Sequence, residues 1–537
     1  MSTAWLCALP VAATSRPNVL LIVSDDLRPE MGCYGGEALT PNIDALAYSR
    51  GSVLFERAYV QDAICCPTRS SFLTGRRPDT TRVWDLHSQF RDAPGAAQWK
   101  TLPQAFRDAG YTTSGMGKVF HPIEYKGKKD DIMGGSWSEP YFQPSSGPDS
   151  VQLSEVNCGV ASDASNDSAY SDGQTAAYAV EVLRNVSTRA EPFFVAVGFH
   201  RPPLPWVVPA RYFEMYPPAS IKLALHNTMP AQYNATGAQR WSWDPQSGPR
   251  HCQPLHNLTL PEYGLVNVAT ALHFRRSYYA AVSFMDAQVG VVLDELDALG
   301  LASDTIVAFI GDHGWQLGDL GEFGKKTNFE RATRTPFIIR NPLAKASATA
   351  AKGTAAAFEA SPAAAKSRAL VEFVDLMPTL LHLALGAIPP MCPSNSSAVA
   401  LCTEGRSLAA AMADPSASAA LYPAAFMQYA SCMHDEGTPL GWHDACTNSA
   451  EPRVMGYAMR TRQYRYIEWV RFNKSSTAPG GMMQWDQLLG SELYDHTVQD
   501  SVLNAAEAVN LAGDAAHAAT VAALSKQLHA GWRASHS

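Results

Sequence analysis

Nowhere does this sequence carry an apolar run of the roughly 20 residues needed to cross a bilayer, so it offers no candidate membrane span. It has no basic excess either: 42 Lys+Arg stand against 50 Asp+Glu, a net charge of -8, which leaves no electrostatic footprint for nucleic acid. The composition of a disordered chain is missing too, since 46% of residues are hydrophobic and only 17% charged. No internal repeat divides the chain. The opening "MSTAWLCALPVAATS" has a short apolar stretch and small residues but no basic residue before Arg16, so residues 1–16 read as a short leader segment.

What is present is enough chain for one large core and a smaller one, 537 residues in all. As far as about residue 385, strand-like and helix-like segments alternate. "NVLLIVSDD" (Asn18 to Asp26) and "TIVAFIGDHG" (Thr305 to Gly314) are continuous aliphatic runs ending in acid, as strands buried on both faces of a parallel sheet do. "FFVAVGFHRP" and the weaker "YTTSGMGKVFH" add two more. "LPQAFRDAG", "TAAYAVEVLRNV", "YYAAVSFMDAQVGVVLDELDALG" and "ALVEFVDLMPTLLHLALG" have helical patterns. Such alternation predicts an α/β domain over residues 17–388 with a mostly parallel sheet. An Ala-rich stretch, Ala344 to Ser367, reads as an exposed insertion. A Pro/Ser loop then leads into strand-like "AAFMQYA", "YAMRTRQYRYIEWV" and "SELYDH" and a helical tail. That predicts a smaller α+β domain over 389–537 with an antiparallel sheet.

The ten cysteines include two close pairs in loop-like sequence, Cys392 with Cys402 and Cys432 with Cys446, and the distant Cys158 and Cys252. Close spacing of this kind suits disulfides in an oxidising compartment. N-x-S/T sequons at Asn166, Asn185, Asn234, Asn257, Asn395 and Asn473 agree, so the expected location is outside the cell or in a lysosomal or endomembrane lumen.

Four predicted strands end in chemically loaded residues: Asp25 and Asp26, Asp312 and His313, His200, and Lys118 with His121. Ligands of open α/β sheets bind outside the carboxyl ends of the strands, so parallel strands would gather all four ends on one edge. Singly, each doublet reads as a turn or a cap. Together, three carboxylates without a thiolate cluster form a hard oxygen site suited to Ca²⁺ or Mg²⁺. Between the first strands lies "AICCPTRSSFLTG", in which Pro67 suits a first helical turn and Gly75 a C-terminal stop. Cys65 and Cys66 then stand at a helix N-terminus, where an anion is favoured. Taken alone, the pair is equally a buried structural thiol, a disulfide partner or a vicinal disulfide.

The spelling Cys65-Cys66-Pro67-Thr68-Arg69 matches C-x-P-x-R, and the chain resembles the sulfatase family through it. The likeness continues in "RPNVLLIVSDDLRPEMGCYG", "TPNIDALA", "GYTTSGMGKVFHP", "FFVAVGFHRPPLPW", "GDHGWQLGDLGEFGKKTNF" and "VEFVDLMPTLLHLAL". It extends to "GYAMRTRQYRYIEW" and "ELYDH" near the C-terminus. The resemblance implies an alkaline-phosphatase-like fold and hydrolysis of a sulfate ester on a carbohydrate, such as a uronic-acid 2-sulfate. It implies that Cys65 is converted to formylglycine by the formylglycine-generating enzyme, with Cys66 merely filling the x position. It further implies Ca²⁺, or Mg²⁺, held by Asp25, Asp26, Asp312, His313 and the modified Cys65. Arg69, Lys118, His121, His200 and Lys325 match the family's sulfate-binding and proton-transfer positions, and the match selects Lys325 over Lys326. Two other readings stay open: a phosphodiesterase or phosphonate monoester hydrolase of the same superfamily, and a silent glycan-binding protein. Trp84, Asp85, His87, Trp206 and Trp315 lie near these motifs as candidate pocket walls, without a catalytic role.

Overall fold

The structure is a computed structural model that describes residues 16–124, 126–151, 158–162, 166–228, 266–343, 365–416, 423–431, 453–476, 482–497 and 507–536. Fifteen strands run through these segments: β1 (Asn18–Ser24), β2 (Ser52–Tyr59), β3 (Thr112–Gly117), β4 (Gly159–Ser162), β5 (Phe193–Phe199), β6 (Trp206–Pro209), β7 (Thr305–Gly311), β8 (Gln316–Leu317), β9 (Phe323–Gly324), β10 (Phe337–Arg340), β11 (Ala365–Glu372), β12 (Ala424–Ser431), β13 (Val454–Thr461), β14 (Tyr464–Phe472) and β15 (Met483–Asp495). Seven of them form one sheet in the order β11-β2-β10-β7-β1-β5-β3. Only β10 runs antiparallel to its neighbours. All other pairings are parallel.

Period-2 geometry divides β1 between two cores. Val19, Leu21 and Val23 face one side, and Leu20 and Ile22 the other. The continuous aliphatic run seen in the sequence is therefore a strand covered on both faces. A helix of 31 residues, Val268–Ala298, covers the second face; it starts ten residues before the segment singled out from sequence.

The final strands β12-β13-β14-β15 make an antiparallel sheet. Its inner face, including Ala425, Met427, Ile467 and Trp469, joins the first core. Its outer face, including Phe426, Met455 and Tyr466, packs under the C-terminal helix Ala518–His536 through Leu524 and Leu528. The fold is thus α/β, with a mostly parallel sheet flanked by helices and a C-terminal antiparallel sheet.

Two expectations need correction. "ALVEFVDLMPTLLHLALG" is not one helix: Ala369–Glu372 complete strand β11, and a helix covers only Leu376–Leu385. A short apolar run fits a strand as well as a helix, and here pairing with β2 decides it. Ala365–Ser367, read as the end of an insertion, also belong to β11.

Cys392 and Cys402 form a disulfide, and Cys158 is disulfide-bonded as well. Cys252, Cys432, Cys446, Asn234, Asn257, residues 1–15 and residues 344–364 lie outside the described residues. No helix among the described residues is long and apolar enough to cross a membrane.

Candidate active site

Register brings the site together. Ser24, the last residue of β1, is level with Phe199 of β5 and with Gly311 of β7. Gly117, the last residue of β3, pairs with Gly198. The residues that follow, Asp25 and Asp26, His200, Asp312 and His313, and Lys118, therefore emerge along one sheet edge. Adjacent strand ends are about 4.8 Å apart.

Helix α1 (Pro41–Tyr48) precedes β2, and helix α2 (Cys65–Thr74) follows it, starting after the extended Ile64 and stopping at Gly75, whose φ of 66° is a left-handed value that glycine takes without strain. Pro67 sits in the first turn, where a missing N–H costs nothing. All ten residues of the helix are buried, so Cys65 is held rigidly with its side chain over the strand ends.

The Cys65 Sγ marks where the reacting oxygen of a modified residue would stand. It lies 3.3 Å from Asp25 Oδ1, 3.3 Å from His313 Nε2, 3.0 Å from Lys325 Nζ and 3.8 Å from Lys118 Nζ. Arg69, one turn further along α2, is buried. It donates from Nη2 to Asp25 (3.1 Å), from Nε to Asp312 (2.9 Å), and from Nη1 to the carbonyls of Lys118 and Val119. One guanidinium so ties α2 to the ends of β1, β7 and β3. Lys118 pairs with Asp25 and Lys325 with Asp26.

Asp26 has a φ of 50°, a strained value for a side chain larger than glycine. Two bonds hold it there: its N–H donates to Asp312 Oδ1 (2.8 Å), and its carbonyl accepts from the Tyr278 hydroxyl (2.7 Å). Tyr278, on the long helix, is a supporting residue that sequence reading does not find, because only folding brings it 252 positions back along the chain.

Electrostatics follow from crowding. Burial raises the Asp25 carboxyl, yet Lys118, Arg69 and Lys325 outweigh it and hold it well below the usual range. Burial pushes Asp26 up in spite of Lys325, and burial with Asp25 pushes Asp312 well up. Burial and Asp25 would raise the Cys65 thiol, but Lys118, Lys325 and His313 bring it well down. His313 would fall on burial; Asp312 lifts it to about 9.

The donor set fits a divalent cation. Ligand atoms of Asp25, Asp26, Cys65 and His313 all lie within 4.8 Å of one another. His313 Nδ1 sits 3.0 Å from the Gly314 carbonyl, and that bond directs Nε2 at the cluster. Asp312 stands beside the group rather than in it, with Oδ2 on Arg69 and Oδ1 on the Asp26 N–H. A second buried trio, Glu330, His496 and Glu507, is an ion-pair node, since Arg460 and Arg465 take up its carboxylates.

The remaining sequence candidates divide. His121 is near enough to bond Cys65, and burial lowers its pKa. His200 makes no hydrogen bond to the cluster; its Nδ1 is 3.7 Å from the buried Asp172. Trp84 and Trp206 are fully buried in the packing. Asp85 closes its own turn on His87 and Ser88, and His87 is exposed. Trp315 lies beside the site, its ring 5.9 Å from Lys325 Nζ.

A carboxylate cluster at the ends of parallel strands, with a helix N-terminus presenting the buried Cys65, defines a hydrolase of the alkaline-phosphatase-like class. The sulfatase family profile matches residues 17–387, and the chain belongs to that family. It is a sulfuric ester hydrolase. The chain is 37% identical over 487 residues to iduronate 2-sulfatase of Homo sapiens, covering 86% of each chain. It is 38% identical over 506 residues to that of Mus musculus, covering 90% of this chain and 89% of the other. Among solved structures it resembles a phosphonate monoester hydrolase of Silicibacter pomeroyi, with a TM-score of 0.68, 21% identity, and 96% and 94% of the two chains covered. That likeness speaks for the fold alone.

Proposed function

We propose that the protein removes sulfate from a sulfated carbohydrate, a uronic-acid 2-sulfate being the expected class, with the hydrate of a formylglycine at position 65 as nucleophile. The observation that carries this reading is the convergence of Asp25, His313, Lys118 and Lys325 on the Cys65 side chain at a helix N-terminus. The identity to iduronate 2-sulfatases supports the substrate class. Maturation requires the formylglycine-generating enzyme.

Asp25, Asp26, His313 and residue 65, with Asp312 beside them, would hold a Ca²⁺ ion, or Mg²⁺ in its place, which would supply positive charge to the sulfate and the nucleophile. Lys118 and Lys325 aim ammonium groups at the same point, and Arg69 keeps the carboxylates in place. One hydroxyl at position 65 releases its proton to solvent and attacks sulfur through its oxygen, the S–O bond to the sugar breaks, and His200 or Lys325 gives a proton to the departing oxygen. His121, kept neutral by burial, then accepts the proton of the second hydroxyl. The C–O bond to sulfate breaks, the aldehyde returns and inorganic sulfate leaves. Each proton transfer contributes about 10²–10⁴-fold.

Secretion or delivery to a lysosomal lumen is supported by the disulfides. Asn166, Asn185, Asn395 and Asn473 are all exposed, as glycosylation requires.

The test is the mass and hydrazide reactivity of the peptide from Ala63 to Arg69, in protein made together with the maturation enzyme. An aldehyde is expected. An unmodified thiol would favour a glycan-binding role. Faster turnover of an aryl phosphate diester than of an aryl sulfate would favour the phosphonate-hydrolase reading. Desulfation of defined oligosaccharides then identifies the sugar.

A further inference from the structure

Asp172 is the second residue of the helix Ser171–Val186 and is fully buried. Among the described residues no Lys or Arg pairs with it: the neighbouring Arg201 guanidinium turns away to Asp149, 3.0 Å distant. Its two oxygens instead accept backbone N–H groups at the end of β5, Oδ1 from His200 (2.6 Å) and Oδ2 from Arg201 (2.9 Å). The same Oδ1 lies 3.7 Å from the His200 Nδ1. That nitrogen is buried and has no hydrogen-bond partner among the described residues, although the side chain as a whole is 31% exposed. The exposed edge of the ring is therefore the Nε2 edge. The two potential acids also differ in place: Lys325 is engaged by Asp26 (2.5 Å) and Cys65 (3.0 Å) on the nucleophile's side. Among the described residues, the polar partner of the His200 ring is Asp172 alone.

We propose that Asp172 is the positioning residue for His200, fixing the ring through its backbone and through Nδ1 so that Nε2–H is presented to the leaving oxygen. This rests on the sulfatase reading above. The 3.7 Å separation needs only a small ring tilt to become a hydrogen bond, as catalytic contacts do when substrate is bound. As the S–O bond breaks, its electron pair goes to the sugar oxygen and the Nε2 proton follows. His200 is left as the neutral Nδ1–H tautomer, with that N–H donating to the Asp172 carboxylate, and solvent restores the Nε2 proton.

The experiment compares an alkyl sulfate, whose leaving group needs a proton, with 4-nitrophenyl sulfate, whose leaving group does not. Measured on one preparation, their ratio is insensitive to the fraction of protein that is folded. Asp172→Asn is expected to lose about 10²-fold on the alkyl ester and at least tenfold less on the aryl ester. In a His200→Ala background the same substitution is expected to add little further loss. Equal losses on both esters, or a full additional loss in the His200→Ala background, would show that Asp172 is structural and overturn the assignment. Wild-type protein inert toward both esters would instead sink the sulfatase reading, and this assignment with it.

Discussion

Three residues before Cys65, the Asp62 side chain is fully buried, with neither carboxylate oxygen hydrogen-bonded among the described residues. Burial, with Asp85 and Asp79 nearby, pushes its pKa well above the usual value. An unfolded Asp ionises near pH 3.9. Between that pH and its native pKa, the folded state binds the extra proton, so stability falls as pH rises through the window. Asp62→Asn is expected to flatten this decline, and urea midpoints measured from pH 5 to 8 check it. A second prediction concerns the cation. Added Ca²⁺ at about 100 times its Kd is expected to raise unfolding stability by about 2.7 kcal/mol. Asp26→Asn is expected to lose most of that increment, read as the shift in Tm with and without the ion.

At the scale of elements, the site depends on how closely β3 and β5 approach. A Cβ on Gly198 would fall inside contact distance of the Lys118 carbonyl and the Val119 nitrogen. Those backbone atoms cannot swing aside as a flexible side chain does. Gly198→Ala is expected to spread the two strand ends, destabilise by about 3 kcal/mol, and displace Lys118 and His200 together. Chemical denaturation gives the first effect, and kcat/KM on an aryl sulfate gives the second. Helix α2 works similarly as a unit, because Gly75 ends it and Arg69 anchors it, and Cys65 follows both.

Over the whole molecule, the two sheets are joined by buried charge. Arg465 pairs with Glu330 beside the catalytic sheet (2.6 Å) and with Glu507 (2.5 Å), and donates to the Asn328 carbonyl. Arg77 pairs with Glu372 at the end of β11 (2.7 Å), and Glu372 also accepts from the N–H of Phe426 on β12. Removing one partner of such a pair strands a charge in the interior, at a cost of about 3–5 kcal/mol. Arg465→Met is therefore expected to lower Tm sharply, whereas a double replacement of Arg465 and Glu507 by apolar residues is expected to recover part of the loss. Calorimetry of the three proteins decides it. Asn328 and Glu330 follow Lys325 closely in sequence, so the C-terminal sheet also steadies the segment that delivers Lys325.

Local chemistry alone determined the strands that run into Asp25, His200 and Asp312 and the helix opened by Cys65 and closed by Gly75. Each is written within a few neighbouring residues, as an aliphatic run, a proline or a glycine, whereas the pairing of Cys392 with Cys402 is given by the structure. Tertiary structure alone decided that Ala369–Glu372 is a strand and that Trp84 and Trp206 are packing. It also set Asp312 beside the ligand cluster, with Tyr278 and Asp172 supporting the site from distant helices. Such outcomes depend on which surfaces meet across hundreds of residues, and no local pattern encodes a partner that only the closed sheet brings near.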